Sequence, residues 1–587
     1  MAISTAPQLR QTYKLWRRFS MPMEGGARDA IAVPSYVANQ LNSAYTLMVT
    51  SMVMNLWCIL FAVAFFMILR REARVHHIST SLWNKRASLS ESFLELMQSG
   101  SKLHWKRWWF FPVILLVLLC WVAQNVLSII IPPYILVGNA APVNPNAIFA
   151  PPSTDQSPSA TAQLFSLDVP SALRAVGSAQ VASSEVLSKA SVRHTALGTL
   201  DNGESVSRVD YGYSVTGADL GLQHYPTLLL DVTGSCITEY GWLVSSNSSL
   251  GYTNDTYSLF GDRGRGEISL SLFDGAAPVA YFYHGPTPPG PPGNQTWAAY
   301  VSSVDRVSYT ADSDPIYATG NPIDTGLADA GYAVRPRRPV LSCWQTDVWW
   351  YNGQKSTIIG LNSTALPGLD LSPGMQLILA RFLGLPRVVD VGRQLGLSAL
   401  LSSTTSLGSI FDAGSSSAFA DLQRLVLAAY IATTNTLIDL TLYPDTPGRS
   451  TSAGNLALDD SAQPKPGVAD FVVWSTDVTT LSVKAIIVIP VLSLFFWALV
   501  IALLNWSPLQ SVNALDAVEI HKALYERDPH AKPCIATGRW DTYDTNRGPQ
   551  DLESSPPSAD NGGGQPKPQA EATVRDTGED ESKEYRP

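Results

Sequence analysis

Residues 46–69 read TLMVTSMVMNLWCILFAVAFFMIL and contain no Asp, Glu, Lys or Arg. Two more charge-free stretches follow, WWFFPVILLVLLCWVAQNVLSIII at 108–131 and AIIVIPVLSLFFWALVIALL at 485–504. At about 1.5 Å per residue, helices of these lengths reach across the roughly 30 Å hydrocarbon core of a bilayer. The sequence therefore predicts three transmembrane helices. This excludes a cytosolic enzyme, and three helices are too few for a single-chain transporter built from repeats.

The loop between the first two predicted helices, residues 70–107, is strongly basic, with eight Lys and Arg against three Glu. Short loops with such an excess stay in the cytoplasm. We therefore expect residues 1–45 and the long segment 132–484 on the outer side, and residues from 505 onward in the cytoplasm. The excess in the loop outweighs five basic residues near the N-terminus. These are Arg10, Lys14, Arg17, Arg18 and Arg28.

Asn-x-Ser/Thr sequons provide an independent test of this orientation, since they are useful only where the glycosylation machinery reaches them. Four lie in the long outer segment, at Asn247, Asn254, Asn294 and Asn362. A further match at Asn505 abuts the third predicted helix, where the transferase could not reach it. We expect the four outer asparagines to carry glycans.

The cysteines agree with the same topology. Cys58 and Cys120 lie in predicted membrane helices and Cys534 lies near the C-terminus, which leaves Cys236 and Cys343 in the outer segment. An isolated pair in an oxidising compartment is expected to form a disulfide. Two separate buried thiols are the alternative.

The outer segment is predicted as a single α+β domain over residues 161–443, with a mainly antiparallel sheet core followed by helices. Segments 132–160 and 444–484 are rich in Pro and polar residues and are predicted as linkers. Apolar residues three and four apart predict helices over 171–189, 375–382 and 417–442. Stretches rich in Val, Ile, Thr, Tyr and Trp predict strands over 227–244, 266–273, 279–283, 296–309 and 340–361, with a tight hairpin turn at 351–354.

The segment after the third membrane helix is divided in two. Residues 505–528 carry spaced apolar side chains and are predicted as a cytoplasmic amphipathic helix. Residues 529–587 are rich in Pro, Gly and charged residues, which predicts a disordered acidic tail. The tail could dock a cytoplasmic partner.

No motif for a familiar catalytic or cofactor chemistry occurs in the chain. The outer segment is anionic, so we expect no nucleic-acid partner. Paired carboxylates such as Asp312 with Asp314, or Asp459 with Asp460, could serve glycan hydrolysis, but Asp is also common in turns. The histidines are isolated, so we expect no metal and no cofactor.

Polar side chains within the first two predicted helices lie at similar depths. Asn55 is nine residues from the outer end of its helix, and Gln124 and Asn125 are seven and six residues from theirs. An amide in hydrocarbon needs a partner. We therefore predict a hydrogen bond from Asn55 to Gln124 or Asn125, with bonding to backbone or to the third helix as the alternative.

Three stretches of the sequence are similar to a known group of proteins. They are VDYGYSVTGADLGLQ at 209–223, GSCITEYGW at 234–242 and LSCWQTDVW at 341–349. Together they resemble uncharacterised multi-span membrane proteins of filamentous fungi with a large extracytoplasmic domain. The resemblance implies the architecture and is silent on activity.

These observations favour an integral membrane glycoprotein of the plasma membrane or endomembrane system that acts without catalysis. Its partners would be the lipid bilayer and, outside, a wall polymer or protein ligand. Two alternatives stay open, a membrane-anchored hydrolase acting on glycan and a channel or transporter subunit. The hydrolase would need two carboxyl groups about 5 to 10 Å apart in an open, aromatic-lined cleft.

Overall fold

The computed structural model describes most of the chain up to Asn505. The described residues are 12–71, 88–102, 110–152, 158–181, 183–249, 251–262, 265–273, 277–286, 293–303, 306–323, 331–336, 338–407, 410–442 and 454–505. They all belong to one compact unit, residues 1–510. The predicted amphipathic helix and acidic tail lie outside the described residues.

Among the described residues, three helices are long and apolar enough to cross a membrane, as predicted. They are α1 (Ser35–Arg71), α3 (Phe110–Ile130) and α10 (Val483–Leu504). The first begins eleven residues before the predicted start at 46. Residues 35–45 are too polar to extend the hydropathy signal, but a helix can continue beyond its apolar stretch, so that stretch does not mark the helix end.

A four-stranded sheet joins the same ends of all three apolar helices, and we call it the collar. Its strands are β1 (Arg18–Met23), β2 (Gly26–Pro34), β3 (Leu136–Gly138) and β20 (Val478–Ser482), in the order β1-β2-β20-β3. Strand β2 runs directly into α1, β20 runs directly into α10, and β3 follows the end of α3 after one short turn. The three helix ends therefore lie side by side.

The collar corrects three predicted boundaries. Residues 1–45 were predicted as a separate outer segment, yet 18–34 form a hairpin of the collar. Segments 132–160 and 444–484 were predicted as linkers, yet they contribute β3, β4 (Ala140–Pro142), β19 (Val472–Trp474) and β20. Ala140 and Phe471 are fully buried. Short strands that lie between prolines have too few residues to show a recognisable alternation of apolar and polar side chains.

The basic loop 70–107 also contains structure that was not predicted. Helix α2 (Leu89–Lys102) packs its apolar face on the first two apolar helices, where Leu96 is buried with Trp57 and Val117. The Phe93 ring stacks on Trp121 with centroids 6.4 Å apart. This helix therefore packs against α1 and α3 near the middle of their lengths.

The large domain is built on a seven-stranded antiparallel sheet. Its order is β11-β12-β16-β7-β6-β5, with β17 paired to β16. The strands are β5 (Ala190–Thr199), β6 (Ser205–Thr216), β7 (Leu229–Glu239), β11 (Val279–His284), β12 (Asn294–Ser302), β16 (Val340–Tyr351) and β17 (Gln354–Ser356). Side chains alternate across β6, where Val209, Tyr211 and Tyr213 point into the core. The predicted antiparallel core is confirmed, although β5 and β6 were not among the predicted strands.

Helices cover one face of this sheet. They are α4 (Pro158–Val181), α5 (Ser183–Lys189), α6 (Pro373–Leu383), α7 (Arg387–Leu395), α8 (Ala418–Thr434) and α9 (Thr436–Asp439). Helix α6 extends the predicted range 375–382 by a residue or two at each end, and α8 and α9 fall within the predicted range 417–442. The range 171–189 is wrong at its start, since α4 begins at Pro158, and α7 was not predicted.

Two smaller sheets flank the large one. The first is β10-β9-β8, formed by β8 (Leu243–Ser249), β9 (Tyr252–Ser258) and β10 (Glu267–Phe273). The second is β14-β15-β13-β18, formed by β13 (Val307–Ser308), β14 (Thr319–Ile323), β15 (Gly331–Val334) and β18 (Ile410–Phe411). A buried ion pair holds the β8–β10 sheet to the segment that precedes β16. Arg338 Nη2 lies 2.8 Å from Asp255 Oδ2 on β9, and both side chains are almost fully enclosed. Removing one partner would leave an uncompensated buried charge.

The turn between β16 and β17 is the tight hairpin predicted at 351–354. Tyr351 pairs with Gln354, which leaves Asn352 and Gly353 as a two-residue loop. Both have positive φ, 48° and 78°. Asn-Gly tolerates this backbone and is typical of a type I′ turn, whose twist matches the strands.

The predicted disulfide is confirmed. Cys236 on β7 and Cys343 on β16 pair directly in the register and are bonded, with Cα atoms 4.1 Å apart. The bond therefore links two adjacent central strands and closes a loop with a sequence separation of 107 residues.

We expect the double change Cys236→Ala, Cys343→Ala to lower the free energy of unfolding by about 2 to 5 kcal/mol, because it frees a long loop in the unfolded chain. Urea unfolding of the full-length protein in detergent, followed by tryptophan fluorescence, measures this. Cys120→Ala, which removes a free cysteine in α3, is the matched control. An unchanged midpoint in the double variant would contradict the prediction.

Candidate functional site

A cleft of about 710 Å³ lies between the β1–β2 hairpin of the collar and the large domain. This volume is in the range of protein ligand sites. Its floor and walls are largely apolar and include Met21, Met23, Val137, Tyr430, Ile438 and Trp474. Trp474, on β19, is 43% exposed and stands at the edge.

Charged groups of both signs and one neutral amide surround the apolar floor. The hairpin contributes Glu24 and Arg28, both exposed, and the domain contributes Asp219 and Asn435. The Asp219 carboxylate is fixed, since Thr216 donates to Oδ2 from its backbone nitrogen at 2.9 Å and from Oγ1 at 2.7 Å. The cleft therefore offers an apolar centre with a polar rim, which is the anatomy of a protein interface core.

Ionisable groups also lie inside the domain, on the helix-covered face of the large sheet. Trp297 Nε1 donates to Tyr211 Oη at 3.2 Å, and Tyr211 donates to Gln345 Oε1 at 2.9 Å. Gln345 Nε2 then donates to Asp347 Oδ1 at 2.7 Å, and Gln295 contacts the other carboxylate oxygen. This chain of hydrogen bonds crosses β12, β6 and β16.

Burial raises the pKa of Asp347 to about 7, because the charged carboxylate would lie in a poorly solvated interior. Burial likewise raises the pKa of Asp421 to about 7 and that of Asp168 to about 6. Perturbed carboxyls in a cleft would suggest general acid catalysis. Asp347 and Asp421 are only 7% and 3% exposed, so neither faces a cleft that a glycan could enter.

Asp421 and a further buried carboxyl, Asp314, have structural roles that are visible in their contacts. Asp421 accepts from Tyr317 Oη at 2.6 Å and from the Leu401 backbone nitrogen at 2.6 Å. Asp314, one of the predicted acidic pair residues, accepts from the backbone nitrogens of Ile316 and Ala418 and so fixes the start of α8. Among the described residues, no group of three His, Cys, Asp or Glu side chains could hold a metal ion.

The four predicted glycosylation sites lie on the domain. Asn247 and Asn254 oppose each other on β8 and β9, Asn294 is the first residue of β12, and Asn362 lies in a turn before α6. Asn247 is exposed, and the other three are half-buried.

The side-chain nitrogen that would carry a sugar is free in all four asparagines, within the described part of the chain. Where these side chains bond, they do so through Oδ1. Asn254 accepts from Ser271 Oγ, Asn294 accepts from Thr346 Oγ1, and Asn362 accepts from two backbone nitrogens. A glycan could be attached to Nδ2 without breaking any of these bonds.

The predicted contact between the first two apolar helices is wrong. Asn55 Nδ2 donates to Ser51 Oγ at 3.5 Å, and Asn125 Nδ2 donates to the Trp121 carbonyl at 2.8 Å. Each amide is satisfied by the preceding turn of its own helix, so no inter-helix bond to Gln124 or Asn125 forms in the described residues. An inter-helix hydrogen bond among the described residues runs from Tyr45 Oη of α1 to the Ile486 carbonyl of α10, at 3.0 Å.

Comparison with known proteins identifies a family. A family model described as a domain of unknown function, DUF8406, matches residues 169–473. The chain belongs to this family. No curated protein and no solved structure matches the chain.

The residues that the DUF8406 model matches form only part of the cleft lining. Asp219, Tyr430 and Asn435 lie inside the matched region, whereas the β1–β2 hairpin and Trp474 lie outside it. Sequence reasoning could not find this site, because its walls come from residues more than 400 positions apart and no local motif marks them. The matched region does contain both cysteines and all four sequons.

The buried carboxyls predict that the DUF8406 domain loses stability as pH rises. The folded-state pKa of Asp347 lies above its unfolded value of about 3.9, so between pH 4 and 7 the folded chain holds a proton that the unfolded chain has released. We expect the free energy of unfolding to fall over this window, by about 3 kcal/mol for Asp347. Urea unfolding at pH 5 and pH 7.5 measures it.

Asp347→Asn should reduce this slope, since the amide does not titrate. Asp210, on the same sheet, is the matched control because the Arg208 hydrogen bond lowers its pKa and keeps it charged across the window. Asp210→Asn should therefore leave the slope above pH 5 intact. Equal slopes in wild type and Asp347→Asn would refute the assignment.

Proposed function

We propose that this protein is a three-span membrane glycoprotein of the surface or endomembrane system whose DUF8406 domain binds a partner outside the cytoplasm without catalysing a reaction. The observation that carries the proposal is the collar. Its strands continue into α1, α3 and α10, so the domain and all three helix ends form one body on one side of the apolar helices.

The side of the membrane on which the domain would lie is inferred from the charge of the loop 70–107. The opposite ends of α1 and α3 are joined by the basic loop 70–107, and such loops stay in the cytoplasm. The domain would then face the lumen or the cell exterior, where disulfides persist. The Cys236–Cys343 bond and the four free sequon nitrogens both support this placement.

The cleft supports a protein ligand over a polymer. A wall polymer would need a long, open track of polar groups, whereas this cleft is compact and apolar at its centre. Met23, which is half-buried, can adapt to varied apolar side chains. Trp474 is the exposed aromatic of the kind that dominates binding energy at interfaces.

Glycosidase digestion tests the topology. We expect treatment to increase the gel mobility of the full-length protein, because the sequons would face the glycosylation machinery. The quadruple change to Gln at Asn247, Asn254, Asn294 and Asn362 should abolish the shift, and Asn505→Gln should leave it. If wild type and the quadruple variant migrate alike before digestion, the domain lies on the other side.

Substitutions at the rim test the cleft. We expect Trp474→Ala to weaken ligand capture at the cell surface by about 2 kcal/mol or more, as for an interface hot spot. Trp350→Ala is the matched control, since Trp350 is a similarly exposed tryptophan on β16 outside the cleft lining. Quantitative crosslinking of intact cells compares the partners of the two variants. Equal loss or equal retention in both would reject the cleft as the site.

A further inference from the structure

The face of the large sheet that the helices do not cover has two parts. At one end, Ala298 and Tyr300 of β12 and Val340 of β16 are buried against the β8–β10 sheet, with Trp242 and Tyr257 opposite. Beyond that apolar end the face becomes polar and more exposed, and at its β12 edge Thr296 Oγ1 donates to the Pro286 carbonyl at 2.7 Å. Trp344 stands at the boundary and is 49% exposed.

The register shows which side chains share the open part. One row crosses the sheet as Asp210, Ser235, Trp344 and Thr296, from β6 to β12. The next row is Ser191, Gly212, Thr233, Thr346 and Asn294, from β5 to β12. The second row holds no side chain larger than Thr or Asn. It therefore forms a shallow trough beside the Trp344 ring, with Asn294 at one end.

The far end of the trough opens into a depression of about 290 Å³ lined by Lys189, Ser191, Gly212, Asp231 and Thr233. Gly212 lies inside a strand and does not have positive φ, so its backbone does not require glycine. A Cβ there would lie 3.8 Å from Ser191 Oγ and 3.1 Å from the Val232 carbonyl oxygen. Glycine within a strand often marks close approach of a ligand. The walls of the depression offer hydroxyl, carboxylate and ammonium groups.

We propose that the N-glycan on Asn294 is the occupant of this face, with its first sugars packed on the Trp344 ring and its distal sugars lying along the trough. The inference rests on the extracytoplasmic placement proposed above. Asn294 and Trp344 are diagonal neighbours on one face, about 7 to 8 Å apart, which is within reach of an attached sugar.

The chemistry of the two partners matches. The C–H face of a sugar ring carries partial positive charge and is weakly hydrated, and it fits the negative face of an indole ring. The Asn294 amide is already oriented, since Thr346 Oγ1 donates to its Oδ1 at 2.6 Å. Its Nδ2 has no bond in the described structure, so the sugar can be attached without disturbing the row. Hydroxyl and carboxylate groups further along can bond the remaining sugars.

Site-resolved digestion of the native full-length protein tests the packing. Protein from a glycosylating host is kept folded in mild detergent and treated with peptide N-glycosidase, and release at each sequon is followed by peptide mass spectrometry. We expect release at Asn294 to be about five-fold faster in Trp344→Ala than in wild type, the size expected when one aromatic contact is lost. Release at Asn362 should be unchanged.

Two further variants keep the test decisive. Trp344→Phe retains an aromatic face and should keep slow release at Asn294. Trp350→Ala removes another exposed tryptophan from the same strand face and should also leave release slow. Their retention of slow release would show that the ring at position 344, and not general loosening of the sheet, protects the glycan.

The experiment distinguishes failure of the proposed topology from failure of this inference. If no sequon carries a glycan, the proposed topology is wrong. If other sequons are occupied and Asn294 is not, the topology stands and this inference is overturned. It is also overturned if Asn294 is occupied but its release rate is equal in wild type and Trp344→Ala.

Discussion

The backbone pairing of β2, β20 and β3 is the constraint on which the rest of the structure depends. Strand β2 pairs with β20 from Ala30 opposite Ser482 to Pro34 opposite Val478. The entire domain is thus an insertion whose two ends are held side by side. The apolar helices satisfy their own backbone groups, and the packing between them does not tie their ends to the domain. The collar does so, and it seats the domain directly on those ends.

Inside the domain, buried polar groups specify how the central strands pair. The chain from Trp297 through Tyr211 and Gln345 to Asp347 is buried, and each member has a partner in the next strand or further along its own. Any other strand register would leave buried donors unpaired, at a cost of about 1 to 3 kcal/mol for each group. A protonated Asp347 suits this interior because a neutral carboxyl avoids most of the desolvation cost. The network therefore favours one arrangement of the core without requiring a reaction there.

Sequence patterns predicted the elements whose signal is local. Charge-free length identified the three apolar helices, and Asn352-Gly353 identified the hairpin turn. Cysteine count and the predicted compartment identified the disulfide. The collar and the cleft were missed because β3 and β19 are three residues long, and their stability comes from pairing with distant strands. Asn55 was misplaced because equal depth in two helices does not determine which way each side chain points.

The same pairing sets an order of assembly. The β1–β2 hairpin is made first, but the partner of β2 is made only after the whole domain, because β20 lies about 450 residues later in the chain. Strand β20 also lies between β2 and β3, so the collar cannot close without it. Until then β2 presents an unpaired edge, which is a site for wrong pairing. Its polar and charged residues at the hairpin end, Arg28 and Asp29, are exposed and oppose such pairing. The domain can reach its fold through local β5–β6–β7 pairings first, and the collar then joins it to all three helix ends at once.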